Sequence, residues 1–293
     1  MVRPAYFGFN EETAASNLYQ DRDFYEPDAT KQAQQEFDSY VQLLRDHGVD
    51  VWVLQDTPEP RTPDSIFPNN WFSTHITGEL ILYPMLAENR RRERKAEALT
   101  TVGMLPGVTK IINLSGFEKE NLYLEGTGSM CIDRVNKIVY CCASERSSDK
   151  ILQEFCREMD YTYVYFHSKD ENGNPIYHTN VMMAVCNKYC VICLESIEDE
   201  KERRTVEDKL TSTGHILFPI SRAQVRQFAG NMIELIDPEG KSLLIMSNSA
   251  YESLSPEQLS FLESYSTILH PDLHTIESIG GGSARCMVAE LFL

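Results

Sequence analysis

Long hydrophobic runs are missing from these 293 residues, and none approaches the ~20 apolar residues of a membrane span. Met1 to Asn10 lacks the charged, then apolar, then small-residue order of a secretory leader, so a cytoplasmic protein is expected. Basic residues are scarce: 27 Lys and Arg against 44 Asp and Glu leave a formal net charge of −17. Such a surface repels phosphate backbones and anionic lipid, and no basic stripe offsets it, which excludes nucleic acid and membrane as partners. A cationic or zwitterionic small substrate would be tolerated. Cysteine is sparse, with eight in the chain, too few for a disulfide scaffold. Cys141, Cys142 and Cys193 lie inside apolar runs, where a reduced thiol packs as a small hydrophobe.

The apolar fraction of 42% and charged fraction of 24% are those of a globular chain long enough to bury a sizeable core. The 15 Gly and 13 Pro are spread out, leaving no linker, so one continuous α/β domain over 1–293 is expected. Helical spacing of Phe37, Tyr40, Val41 and Leu44 predicts a helix over 28–47 with Asp28 as its cap and Gly48 as its end. Further helices are expected over 88–101, 149–159, 199–211 and 256–264. Strands are expected over 49–54, 80–83, 137–142, 161–166 and 243–246, with a hairpin of 181–185 and 189–194 and a closing strand over 286–293.

Four polar islands interrupt this alternation, each beside glycine or proline: Asp64-Ser-Ile-Phe-Pro-Asn-Asn-Trp71, Glu125-Gly-Thr-Gly-Ser129, Tyr177-His-Thr-Asn180 and Gly280-Gly-Gly-Ser-Ala-Arg-Cys286. Such segments are where sites usually sit. Three glycines allow a substrate to approach the main chain just before Cys286, whose thiolate would be a nucleophile. His178 precedes an apolar run and is the best placed of seven histidines to move its proton; Glu125 would orient the imidazole. Each has an ordinary alternative on its own: a buried strand cysteine, a structural loop histidine, a solvated strand-end glutamate. They carry weight as a set.

Cys186-x-x-x-Cys190-x-x-Cys193 has the spacing of a cluster-binding motif. Cys190 and Cys193 fall in one expected strand, where they point to opposite faces, and no glycine-rich loop surrounds them. No second close Cys/His pair completes a zinc set, so neither metal nor cofactor is expected.

Together the islands resemble the guanidine-modifying superfamily of arginine deiminases, dimethylarginine dimethylaminohydrolases and amidinotransferases. Gly-Gly-Gly-x-x-Arg-Cys-Met at 280–287 is similar to the deiminase nucleophile segment, Glu125-Gly to its Glu-Gly-Gly, and Ser144-Glu-Arg146 to the Ser-Glu-Arg whose arginine holds a substrate carboxylate. His178-x-Asn180 stands where the deiminases have His-x-Asp. The full pattern is most similar to the citrulline utilization hydrolase, or arginine deiminase-related, branch. The resemblance implies a five-bladed α/β propeller with pseudo-fivefold symmetry, a site at its central channel, and metal-free, cofactor-free chemistry by Cys286, His178 and Glu125.

The departures bear on substrate. Where deiminases place two aspartates on a guanidinium, this chain has Asn70 and Asn180; Asp64 is kept, while Asn69-Asn70 replaces an acidic pair of the dimethylarginine enzymes. Removing two charges favours a neutral ureido group, whose carbonyl and NH₂ an amide matches with a donor and an acceptor. Citrulline, cleaved to ornithine, carbon dioxide and ammonia, is the expected substrate. An arginine derivative, amidino transfer and a non-catalytic amino-acid-binding propeller remain alternatives. Arg146 is expected on the substrate carboxylate, with a second contact from Arg90 or Arg92, whose run is otherwise a solvated helix face. Asn231, beside Gly230, would line the pocket or simply make a turn. A homo-oligomer is compatible with all of this.

Overall fold

A computed structural model describes residues 1–24 and 26–292. The described residues form a mixed α/β fold of five small sheets. The first pairs β1 (Val2–Arg3) with β2 (Leu54–Gln55) in parallel, across the helix Ala29–Asp46. The remaining four have three strands each: β3 (Phe72–Thr74), β4 (Glu79–Leu82) and β5 (Lys110–Asn113); β6 (Met130–Asp133), β7 (Ile138–Cys142) and β8 (Thr162–Phe166); β9 (Met183–Val185), β10 (Tyr189–Ile192) and β11 (Ile216–Pro219); β12 (Ile233–Ile236), β13 (Ser242–Ile245) and β14 (Thr267–Leu269).

All four repeat one plan. Two strands form an antiparallel hairpin, one or two helices follow, and the third strand returns parallel to the second. No repeat is legible in the letters because each unit uses different apolar residues for the same layer. Those residues fall into four buried clusters, the largest around Tyr140, Tyr189 and Phe218, with the helix 29–46 packing Phe37, Tyr40 and Leu44 against the fifth sheet and the C-terminal segment.

The repeat places the site. In each three-stranded unit the segment entering the first strand is a tight polar turn: Pro68–Asn70 before β3, Gly126–Ser129 before β6, Thr179–Met182 before β9, and the turn at Phe228 (φ 61°) before β12. These entries carry Asn69 and Asn70, Glu125, His178 and Asn180, and Asn231.

Several sequence expectations are corrected. Residues 286–292 are a turn followed by irregular chain rather than a strand; Thr74 holds them by its side chain, donating to Glu290 O at 3.0 Å and accepting from the Phe292 N–H at 2.9 Å. The expected strand ran to Leu293, which lies outside the described residues. The expected helix over 88–101 is two, Glu88–Arg91 and Ala96–Gly103, because Arg94 and Lys95 between them turn to Glu118 and Asp56. Asp28 stands at its helix start without a side-chain capping bond. Only Leu54 of the expected strand 49–54 pairs, and Val181 and Met182 close a helical turn before β9 instead of opening the hairpin.

His75, after β3, is buried and takes an N–H from Arg134 on Nδ1 (3.2 Å) while Nε2 faces Ser73 Oγ at 2.9 Å. Burial, aided by Arg134, pushes it down to about 3. An unfolded histidine titrates near 6.5, so the stability from keeping His75 neutral is complete above that pH and is lost as pH falls toward 3, at about 1.4 kcal/mol per unit. Urea unfolding between pH 6 and 4 should therefore show His75→Gln losing less stability per pH unit than the parent, by about that amount. Equal slopes would refute the assignment.

Candidate active site

Glu125 sits at the start of the Gly126–Ser129 turn, its backbone N–H held by Ser129 Oγ (2.9 Å) and Arg146 O (3.2 Å). Its carboxylate is fully buried. Oε1 accepts the Leu86 N–H at 3.0 Å; Oε2 lies 2.9 Å from His178 Nε2, 3.5 Å from Arg146 Nη1 and 4.0 Å from Arg90 Nη1. Burial by itself would raise this carboxyl, but Arg146, the His178 bond and Arg90 outweigh it and hold it well below the usual carboxylate range.

His178 is the mirror case. Burial lowers it to about 4, against the pull of Glu125 and with the help of the two arginines, so the imidazole is neutral near pH 7. Facing an ionised carboxylate, Nε2 carries the proton and Nδ1 is left as the basic nitrogen. Tyr177 packs against the ring, with centroids 4.7 Å apart. Gly128 lets the parts close: a Cβ there would come within 2.7 Å of His178 Nδ1 and 2.3 Å of Asn70 Nδ2.

Cys286 is buried in the turn after the three glycines, its N–H bonded to Ser283 O at 3.0 Å. Two side-chain amides reach its sulfur: Asn180 Nδ2 at 3.5 Å and Asn231 Nδ2 at 3.1 Å. Cys286 and His178 border one cavity with Asp64, Asn70, Arg90, Arg146 and Tyr177.

Pairings inside the site fix which atoms remain for a ligand. Asn70 Oδ1 accepts from Arg90 Nη1 at 2.7 Å, and because arginine only donates, Asn70 Nδ2 is left as a donor. Asp64 Oδ2 accepts from Asn10 (2.8 Å) and Thr13 (3.3 Å), leaving Oδ1 as an acceptor. Asn180 turns its NH₂ to the sulfur, and its Oδ1 is left unpaired behind the cavity wall, of which Asn180 forms no part. Asn70 Nδ2, Asp64 Oδ1 and Asn180 Oδ1 are all buried without a partner among the described residues. Burial tends to neutralise Asp64, opposed by Arg90 and Asn10.

Other positions differ from the sequence reading. Arg92 is exposed, whereas Arg90 is buried; the turn of Glu88–Arg91 sends the two side chains apart. Arg90 spends its donors inside the protein, bonding both oxygens of Glu93 (2.8 and 3.1 Å), Asn70 and the Phe67 carbonyl (3.2 Å), so it positions Asn70. Asn69 is fully buried with both amide atoms unpaired among the described residues, and the cavity wall includes Asn70 but not Asn69. Arg146 lies over Tyr177, its Cζ 4.9 Å from the ring centroid, and donates to Ser16 Oγ (2.7 Å) and Thr13 O (3.1 Å). Asn231 touches the Cys286 sulfur instead of lining the pocket.

The sequence reading missed residues 10–20. Asn10 holds Asp64, Thr13 and Ser16 hold Arg146, and Asn17 Nδ2 donates to Gly280 O (3.2 Å) and Gly281 O (3.3 Å). With this segment in place the cavity is about 10 Å³, room for one water. The run of Asn, Thr and Ser without apolar periodicity was the available signal.

A model of the family described as N,N dimethylarginine dimethylhydrolase, eukaryotic, matches residues 3–293. The chain belongs to that family. Its relatives by structure are members of the guanidino-modifying superfamily, in which hydrolases act on C–N bonds. No curated protein matches the chain. Among solved structures it is similar to ArgZ, an arginine dihydrolase from the ornithine-ammonia cycle in cyanobacteria, at TM-score 0.77 and 16% identity; all of this chain is covered, and it spans 40% of ArgZ. The N-terminal domain of ArgZ bound to substrate gives TM-score 0.76 at 16% identity, with 100% of this chain and 98% of that domain covered. A dimethylarginine dimethylaminohydrolase variant, as an adduct with S-methyl-L-thiocitrulline, gives 0.65 at 15% identity, over 98% and 96% of the two chains. These likenesses show the shared fold. No helix among the described residues is long and apolar enough to cross a membrane.

Proposed function

We propose that this chain is one catalytic domain over 1–293, a five-bladed α/β propeller that hydrolyses a C–N bond of a ureido amino acid, with citrulline as substrate, in the cytoplasm. The observation that carries the substrate is the donor and acceptor layout. On the cavity wall Asn70 Nδ2 is a donor fixed by Arg90 and Asp64 Oδ1 is an acceptor; Asn180, behind the wall, meets the site through the Cys286 sulfur. A ureido group offers one carbonyl acceptor and N–H donors on both sides; a guanidinium has no acceptor for Asn70.

In the proposed reaction His178 Nδ1 takes the Cys286 thiol proton as sulfur attacks the ureido carbon. The tetrahedral adduct collapses with cleavage of the bond to the ornithine side-chain nitrogen, which receives that proton from His178. This leaves an S-carbamoyl cysteine. Water then attacks the carbamoyl carbon, giving a proton to His178; the C–S bond breaks, the proton returns to sulfur, and carbamate departs to become carbon dioxide and ammonia. Arg146 is assigned to the substrate carboxylate, which would take the guanidinium edge now held by Thr13 and Ser16. Entry of an amino acid into so small a cavity then requires residues 10–20 to move.

A second reading takes arginine as substrate. The named activity of ArgZ and the buried carboxylate of Asp64 favour it. Incubation with citrulline, arginine and dimethylarginine in parallel, with products read by mass spectrometry, separates the two. Ornithine from citrulline supports the ureido reading; citrulline or ornithine formed from arginine alone replaces it. Products from none of the three would favour an amino-acid-binding role. Asn70→Asp removes the donor and adds a charge, so citrulline kcat/KM should fall by roughly 10- to 100-fold while arginine is spared. An equal fall on both substrates would count against the layout.

A further inference from the structure

The geometry points to Asn231 as the residue that sets Cys286 for attack, a positioning role apart from substrate binding; the inference rests on Cys286 being the nucleophile of the proposed reaction. One amide joins two segments of the site to its own. Its Oδ1 accepts the backbone N–H groups of Arg285 (3.0 Å) and Cys286 (3.4 Å), fixing the nucleophile turn. Its Nδ2 donates to Asn180 O at 2.9 Å, tying that turn to the segment that begins at His178. The same NH₂ donates to Cys286 Sγ at 3.1 Å.

The amide cannot be turned over, because backbone N–H groups need the oxygen and a backbone carbonyl needs the nitrogen. Its second N–H therefore faces the sulfur by construction. A donor aimed at sulfur favours negative charge there, the form in which a cysteine attacks. The close approach is provided by Gly230, where a Cβ would stand 2.2 Å from Val181 O and 2.7 Å from Met182 Cα. Asn231 is itself fixed from behind by its own N–H, which donates to Phe228 O at 2.8 Å. It is almost fully buried and forms no part of the cavity wall described above, so it acts on substrate only through the sulfur.

Asn231→Asp separates the contacts made by the amide oxygen to the nucleophile turn from those made by its nitrogen to sulfur and to Asn180 O. It keeps an oxygen for the two backbone N–H groups but replaces the donor facing sulfur with an acceptor. Asn231→Ala removes all the bonds without adding charge. The full-length parent and both variants are treated with iodoacetamide at one pH near neutrality, and modification at Cys286 is followed by mass spectrometry, with Cys286→Ser as background. Both variants should alkylate at Cys286 about 10- to 100-fold more slowly, the loss of one hydrogen bond to an ionised group. On any substrate the parent turns over, kcat should fall by a similar factor with KM within about twofold of the parent.

Alkylation at the parental rate in both variants overturns the assignment, and so does a rise in KM at unchanged kcat, which would make Asn231 a substrate ligand. Slow alkylation in Asn231→Ala with a parental rate in Asn231→Asp would also overturn it, leaving only a loop-holding role. If Asn231→Asp does not fold, a parental rate in Asn231→Ala still refutes the proposal, while Asn231→Ser, which restores a hydroxyl donor, should recover part of the lost rate. Alkylation needs no substrate. A parent silent on every ureido and guanidino compound therefore defeats the functional proposal and leaves this one to be judged by its own readout.

Discussion

Cys286→Ser is expected to lower turnover by at least about 10⁴-fold while leaving the fold intact. An alcohol is far less acidic than a thiol, and the proposed base on the same cavity wall is weak, since burial holds His178 at about 4. The NH₂ groups of Asn180 and Asn231 reach a large, polarisable sulfur at 3.5 and 3.1 Å; a shorter hydroxyl arm would not sit in the same cradle. No other cysteine is placed to take over. Burial pushes Cys131, Cys141, Cys142, Cys156, Cys186, Cys190 and Cys193 upward, and Cys131 is tied to the Met183 carbonyl. Steady-state turnover, together with the intact mass of a trapped adduct, checks this. Activity within tenfold of the parent would remove Cys286 from the mechanism.

Glu125→Gln should be costly to both stability and rate. The carboxylate faces Arg146, Arg90 and His178 with no solvent to share the charge. Neutralising it leaves two buried guanidinium groups short of an anion, a change of about 3–5 kcal/mol when one partner of a buried pair is lost. Because its folded value is depressed, Glu125 contributes its stability above the unfolded carboxylate range, and that contribution fades as pH falls through it. At pH 7 the full loss should appear in urea unfolding.

The rate effect has a separate cause. Nε2 of His178 donates to the carboxylate, leaving Nδ1 free to take a proton; a glutamine can present NH₂ there and drive the imidazole into the other tautomer. Loss of the orienting carboxylate in such a triad lowers kcat by about 10³- to 10⁴-fold. A variant as stable as the parent, or one turning over within tenfold of it, would show that Glu125 is a bystander. The comparison with Cys286→Ser is informative in itself, since residues acting as one unit do not add: the double variant should be no slower than the worse single one.

Much of the site was legible in the chain because its residues interrupt an apolar pattern. Asn69 and Asn70, Glu125, His178 and Asn180, and Asn231 all precede short buried strands, and a polar residue beside glycine or proline at such a boundary stands out by contrast with its neighbours. The sequence by itself determined the residue types on offer, their place at element boundaries, the long amphipathic helices, and the family likeness through which Cys286, Arg146 and the two asparagine replacements gained meaning. It did not separate Arg90 from Arg92, did not mark residues 10–20, and suggested a closing strand where the chain runs irregularly.

Only the tertiary structure decided those. Periodicity reports the environment of one segment, whereas hydrogen-bond partners here are 50 to more than 200 residues apart: Asn10 with Asp64, Glu125 with His178, Asn231 with Cys286, Thr74 with Glu290. Which way an amide faces is settled by such a partner. Asn70 is a donor toward the cavity because Arg90, turned inward by a broken helix, takes its oxygen, and Asn231 faces sulfur because two backbone N–H groups take its oxygen. The asparagines were written in the sequence; the direction of their hydrogen bonds, and with it the proposed substrate, came from the packing of one unit against the next.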